Sequence, residues 1–239
     1  MRPTDWDPVY ERILADMGYS REEDEACVRV LKAVTSGSDL VDPDDLRPMF
    51  AGGVTVLGGA ARLEEDVASC GTRGLVVAAG AATGRALALG IVPGVVVTDL
   101  DGDVGPQLEA SAAGAVTFIH AHGDNADLVR RWAGEFRGPV VLTTQSRPER
   151  TVFCFGGFTD GDRAVCIAEE MGAPSALLLG FDFESPGPKA DSDPAAKLRK
   201  LRWAREVIGS LRSIRVEGPG LRRPGMSNVA SDGRHSPLL

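Results

Sequence analysis

Two aspartates, Asp99 and Asp101, close the apolar run in VVVTDLDG. At this spacing on an extended chain they point the same way. Two carboxylates so placed repel each other unless a cation lies between them. Oxygen-only ligation suits Mg²⁺, which keeps several waters and bridges to phosphate oxygens, so the pair is read as a metal site and as catalytic. A second string, HAHGDN, follows the next apolar run. His120 continues that run, His122 lies two residues on, and Asp124 and Asn125 can reach substrate or metal-bound water. Zinc needs three or four protein ligands; the only other histidine is His235 and no cysteine is near, so the string is not read as a zinc site. TDGDRA repeats the two-apart spacing with Asp160 and Asp162 at a helix start. Asp160 is the expected N-cap, and the pair is expected to face phosphate or metal. Asp182 follows a further apolar run in LLLGFDF.

Glycines accompany the acids. Gly58 and Gly59 follow the first apolar run and Gly80 the second; such residues let backbone N–H groups approach phosphate. Neither GxxxxGK[ST] nor GxGxxG is present, so the Walker and dinucleotide fingerprints are absent. KLRKLRWAR, residues 197–205, carries five cations. It is either a solvated basic face or the place from which Lys197 and Lys200 neutralise a transferring phosphoryl group.

These residues need elements to hold them. Continuous apolar or β-branched runs at 54–57, 75–79, 95–98, 115–120, 140–144, 151–155 and 176–179 are what strands covered on both faces look like. The stretches 61–70, 82–90, 105–113, 125–136 and 160–171 can each hold a helix. That succession predicts an α/β fold with a Rossmann-like open, mostly parallel sheet and helices on both faces. In such sheets ligands bind outside the carboxyl ends of the strands, where these acids and glycines fall. Residues 5–35 predict two helices, one with Pro8 in its first turn and one opened by a Ser20–Glu23 capping box. The expected organisation is an N-terminal helical segment (1–50), an α/β catalytic core (51–185), a basic helix and lid (186–215) and a flexible tail (216–239).

Of the 239 residues 43% are hydrophobic and 25% charged, an ordinary globular balance. The net charge of −8 is unevenly spread: 1–50 hold twelve acids and six bases, 51–188 seventeen and nine, 189–239 five and eleven. A duplex-binding protein carries a broad basic face, so nucleic acid is not the expected partner. No uncharged run approaches the about 20 residues of a membrane span, and the first residues lack the apolar core of a secretory signal. Four cysteines without CxxC spacing suit reduced thiols in a cytoplasmic protein. The sequence allows a homodimer.

The runs GIVPGVVVTDLDG, HAHGDN, GGFTDGDRA, LLLGFDF and KLRKLRWAR, in this order over residues 53–205, resemble archaeal-type 6-hydroxymethyl-7,8-dihydropterin pyrophosphokinases, distant relatives of thiamine pyrophosphokinases. The resemblance implies an enzyme that binds Mg²⁺ and ATP, lets the pterin hydroxymethyl oxygen attack the β-phosphorus, and releases AMP. Asp99, Asp101, His122, Asp124, Asn125, Asp160, Asp162, Asp182, Lys197 and Lys200 match its pattern. Two positions depart from it: AAGAA (Ala79-Gly80), where relatives tend to carry an acid, and Pro93-Gly94, where they tend to carry Pro-Asp. Two rivals stand beside this reading. One is a haloacid-dehalogenase-type phosphatase, with Asp99 as nucleophile, Asp101 as acid, and Thr143 or Thr144 in its second motif. The other is a non-catalytic nucleotide or pterin sensor.

Overall fold

The structure, a computed structural model, describes residues 3–185 and 193–221. The apolar runs form the strands β1 (Val54–Leu57), β2 (Leu75–Ala79), β3 (Val95–Thr98), β4 (Val116–Ala121), β5 (Val140–Thr144), β6 (Val152–Phe153) and β7 (Ser175–Leu179). An eighth, β8 (Arg215–Glu217), completes one sheet in the order β6-β5-β4-β3-β2-β1-β7-β8, parallel at every pairing. The helices are α1 (Pro3–Met17), α2 (Arg21–Val34), a short α3 (Arg47–Phe50), α4 (Leu63–Cys70), α5 (Ala82–Ala88), α6 (Gly105–Ala112), α7 (Ala126–Trp132), α8 (Asp160–Glu170) and α9 (Pro194–Ser210).

The expected doubly covered α/β sheet is therefore present. Along β1 the alternation of side chains sends Val54 and Val56 into the core under α8, with Val165 and Ala168. It sends Leu57 into the opposite core, with Leu63 of α4 and Ala82 and Ala86 of α5. Residues buried from both sides must be apolar on both, which is why the strands lack a polar alternation. The chain steps from β1 outwards to β6. Helix α8 then carries it back across β1, β2 and β3 to β7. The strand order thus reverses between β1 and β7, where α/β sheets open a crevice at their carboxyl edge.

The N-terminal helices are built into both layers. Trp6, Tyr10 and Ile13 of α1 pack with Phe158, Cys166 and Val207, whereas Cys27, Val28 and Leu31 of α2 pack with Val129, Ile119 and Leu142.

The expected boundaries at the C-terminal end need correction. Residues 215–217 pair with β7 instead of opening a tail, and the turn Pro219–Leu221 follows; residues 222–239 lie outside the described residues. The basic helix α9 buries Ala204, Val207 and Ile208 and joins α1 through Trp203 Nε1, which donates to Asp16 at 2.8 Å. Over its described length it is anchored, not a detached lid; residues 186–192 of the expected lid lie outside the described residues. Among the described residues no helix is long and apolar enough to cross a membrane.

Gly180, at the end of β7, adopts a φ of +72°. A Cβ there would stand 2.4 Å from the Gly58 carbonyl oxygen and 2.8 Å from Leu63 Cβ. Backbone on one side and a packed helix on the other leave no room to yield. Gly180→Ala should therefore cost about 3 kcal/mol in urea unfolding; a loss under about 0.5 kcal/mol would show that β1 and β7 are not packed this closely.

Candidate active site

Strand β3 ends at Thr98, whose Oγ1 accepts the Leu100 N–H at 2.8 Å. Leu100 takes a φ of +67°, a left-handed conformation that costs a leucine about 1–2 kcal/mol. Complete burial of its side chain among Val104, Ile119 and Ala121 offsets this. The extended geometry expected for the acid pair is thereby corrected. Asp99 and Asp101 sit on a turn, closed by the Asp101 N–H donating to Asp99 Oδ1 at 3.0 Å. Asp99 faces inward and Asp101 is exposed.

What meets Asp99 comes from far along the chain. Asp160, the first residue of α8, accepts the Asp99 N–H on Oδ2 at 3.4 Å and ion-pairs through Oδ1 with Arg163 Nη1 at 2.8 Å. Glycine at position 80 makes this approach possible, since a Cβ there would stand 2.6 Å from Asp160 Oδ2. His122 Nε2 lies 3.7 Å from Asp99 Oδ2. Burial and the neighbouring Asp99 carboxylate push Asp160 well above the ordinary carboxylate range, and Arg163 only partly opposes them. Burial works against the charge on Asp99 as well, but its hydrogen bond and charge interaction with His122, together with Arg163, overcome burial and hold it down at about 2. The environment therefore splits the pair, favouring the charged form of Asp99 and the protonated form of Asp160.

Arg163, with a side chain only 3% exposed, is a residue that the motif reading passed over. It is the one base inside the four acidic strings, and its Nε has no partner. A lone cation among acids is the signal that could have found it.

Several expected site residues are occupied otherwise. The N-cap of α8 is Thr159, not Asp160, and Asp162 is the third residue of its capping box. Asp162 accepts the Phe158 and Thr159 N–H groups, both at 2.7 Å, and the Thr159 hydroxyl, so its oxygens serve the helix start. The N–H groups of Gly58 and Gly80 are spent inside the sheet edge, on Leu179 O and Val97 O, both at 2.8 Å. Neither can cradle phosphate; the two glycines matter by being small. Gly59 is exposed. Asn125 is a strut: its amide donates to the carbonyls of Asp99 and His120, both at 2.7 Å, and accepts the His122 N–H at 3.0 Å. Buried His120 is held neutral, its pKa far below the ordinary value through burial and the nearby Arg163. Its Nδ1 meets Thr143 Oγ1 at 3.0 Å. That threonine donates to Ile119 O and Thr144 Oγ1 accepts the Ser146 N–H, so the second phosphatase motif turns inward.

Asp124 is exposed beside His122. Both line a hollow with Tyr19, Ser20, Glu23 and Gln145. The Lys200 ammonium stands 5.8 Å from the Tyr19 ring and 5.9 Å from that of Phe158, just before the Asp160 turn, and Lys197 lies one turn earlier on α9. Asp182 sits apart, at the end of β7, where Oδ1 accepts the N–H groups of Glu184 and Ser185.

One wall comes from a segment with no recognised motif. Buried Asp24 of α2 accepts from the Gly123 N–H at 2.6 Å, from Gln145 Nε2 at 2.8 Å and from the Tyr10 hydroxyl. It ties α1, α2, the loop after β4 and the loop after β5 together. Its signal was present: Asp24 shares helical spacing with Cys27, Val28 and Leu31, so it is an acid on an apolar stripe.

Residues 42–187 match the family model described as "6-hydroxymethylpterin diphosphokinase MptE-like". A protein of Pyrococcus furiosus named 6-hydroxymethyl-7,8-dihydropterin pyrophosphokinase is 42% identical over 224 residues, covering 89% of this chain and 95% of that protein. One of the same name from Methanothermobacter thermautotrophicus is 34% identical over 234 residues, covering 89% and 97%. Among solved structures, the MAf glycosyltransferase of Magnetospirillum magneticum AMB-1 aligns with a TM-score of 0.43 and 17% identity, over 74% of this chain and 35% of that one.

The crowded acids should leave a pH signature. An acid whose pKa is raised by folding contributes stability that is complete below its unfolded value and is lost as pH rises towards the folded one. Asp160→Asn removes that loss. Its stability relative to the parent should therefore grow as pH rises above the ordinary Asp value of about 4, measured by urea unfolding without divalent metal; a constant or shrinking difference would mean that folding does not raise the proton affinity of Asp160.

Proposed function

The chain belongs to the 6-hydroxymethylpterin diphosphokinase MptE-like family, and we propose that it transfers diphosphate from ATP, with Mg²⁺, to the hydroxymethyl group of 6-hydroxymethyl-7,8-dihydropterin. The pterin oxygen attacks the β-phosphorus, the bond from that phosphorus to the α–β bridging oxygen breaks, AMP leaves with that oxygen, and the hydroxyl proton is released. The observation that supports this best is Asp160, brought by α8 onto Asp99 with Arg163 beside both. A reaction of this type needs positioned charge more than covalent help from the protein.

The donor set fits the metal. Mg²⁺ takes one or two carboxylates and completes its shell with water and phosphate oxygens, and the turn after β3 offers two, Asp99 and Asp101. Asp99, held ionised, and exposed Asp101 would hold Mg²⁺. Bound there, the ion would offset phosphate charge as it develops. Arg163 keeps one positive charge beneath the acids. Lys200, with Lys197 a turn away, is proposed to add positive charge from above. His122 and Asp124, facing the hollow under α2, are the groups placed to take the hydroxyl proton. Asn125, Asp162, Gly58 and Gly80 are proposed to act by shaping these positions, not by touching phosphate.

Incubation with ATP, Mg²⁺ and the dihydropterin should yield AMP and a diphosphorylated pterin, separated by chromatography; ADP as the sole nucleotide product would refute the transfer. Asp99→Asn and Asp101→Asn should each lower turnover at least about a hundredfold, about 2.7 kcal/mol. Without Mg²⁺, Asp99→Asn should melt lower than the parent near neutral pH, because it gives up the interactions with His122 and Arg163 that hold Asp99 ionised, whereas Asp101→Asn, at an exposed position, should melt close to the parent. Near-normal turnover in both would remove the metal site from this turn.

A further inference from the structure

At the point of strand reversal, ahead of β7 and β1, the carboxyl edge opens into a cleft of about 240 Å³. That is just below the about 300–1,000 Å³ of ordinary ligand pockets, enough for a base and sugar but not for a whole nucleoside triphosphate. Phe181 and Phe183, ring centroids 5.9 Å apart, line it. The sheet and α8 are fitted around Phe181: a Cβ at Gly58 would stand 2.9 Å from its ring, and one at Gly161, in the first turn of α8, 3.0 Å. Arg62 and Arg205 flank the opening, and Glu184 lies 3.5 Å from Arg205. The far wall is the turn Pro219–Leu221, so close that a Cβ at Gly220 would stand 2.2 Å from the Phe181 carbonyl. Strand β8 thus has a consequence at the sheet edge: it delivers this wall.

We propose that the cleft holds the nucleoside end of the triphosphate, with the base against the edges that Phe181 and Phe183, each 7% exposed, present to it and the sugar hydroxyls on the side of Asp182 and Glu184. The inference rests on the diphosphokinase reading and adds a place for the donor. Position supports it, because Phe181 touches the α8 turn that carries Asp160. From β7 to β3 there are three strand spacings of about 4.8 Å, or about 14 Å, a length that a nucleoside triphosphate covers. Chemistry supports it too. A purine can meet such ring edges edge-to-face, whereas the donor–acceptor edge of a pterin asks for a buried carboxylate with free oxygens. Here Glu184 is exposed and paired, and Asp182 already accepts two backbone N–H groups.

Titration calorimetry of the full chain with Mg²⁺ and α,β-methylene-ATP, and in parallel with 6-hydroxymethylpterin, tests the placement. Two variants are compared: Phe183→Ala, which removes part of the aromatic wall, and Ser185→Trp, which fills the cleft from an exposed position. Both should weaken the nucleotide analogue at least tenfold and leave the pterin within twofold. Should Phe183→Ala lower the melting temperature markedly, Ser185→Trp alone decides. Unchanged nucleotide affinity in Ser185→Trp, or loss of pterin affinity there, would overturn the placement while the reaction stands. A parent chain that binds no nucleotide analogue would overturn the reaction and the placement together.

Discussion

The arrangement at the sheet edge depends on one unfavourable contact: two carboxyls, Asp99 and Asp160, brought together from 61 residues apart, with the Asp160 carboxyl accepting the Asp99 backbone N–H. Like charges in a partly buried place raise each other's proton affinity, and burying ions costs solvation that pairing seldom returns in full. The cluster therefore contributes little to stability and is held by the rest. Gly80 makes room for it, Asp162 and Thr159 pin the helix that carries Asp160, and Arg163 and His122 supply the opposing charge. The capping box matters here beyond helix stability, because it sets where the first residue of α8 points.

A second constraint is that loops at a sheet edge carry few contacts of their own. In this chain the loop after β4 is held by Asn125 from below and by Asp24 from above. The N-terminal helices are thus walls of the site as well as layers of the core. Fixing His122 and Gly123 from two sides limits the motion of the side chain that faces Asp99, and such support is what precise charge placement requires.

The aromatic cleft and the hollow beneath α2 lie on opposite sides of the acids. A transfer between two bound molecules needs an arrangement of this kind, in which each binds its own wall and only the reacting atoms meet. The family model matches residues 42–187, yet Tyr19, Ser20, Glu23 and Asp24 line the hollow, and Arg205 of α9 and the turn Pro219–Leu221 line the cleft.

Seven of the strands, the parallel sheet, both N-terminal helices and the position of the acids at the carboxyl edge were legible in the sequence, although the run at 151–155 forms only the two-residue β6. The reason is local: two-sided burial demands continuous apolar runs, and each βα unit ends by placing its next residues at that edge. What the acids do there was decided by tertiary structure. The φ of Leu100 bent the pair into a turn, against the extended reading, and the core that takes up the leucine side chain offsets its cost. Whether Asp160 or Asp162 faces the site depended on which residue capped α8. The N–H groups of Gly58 and Gly80 were claimed by β7 and β3, strands that spacing alone cannot assign as neighbours. Arg163, Asp24 and β8 were passed over for the same reason. A buried cation, an acid on an apolar stripe and a three-residue strand acquire meaning only from partners tens of residues away, and local patterns carry no record of those partners.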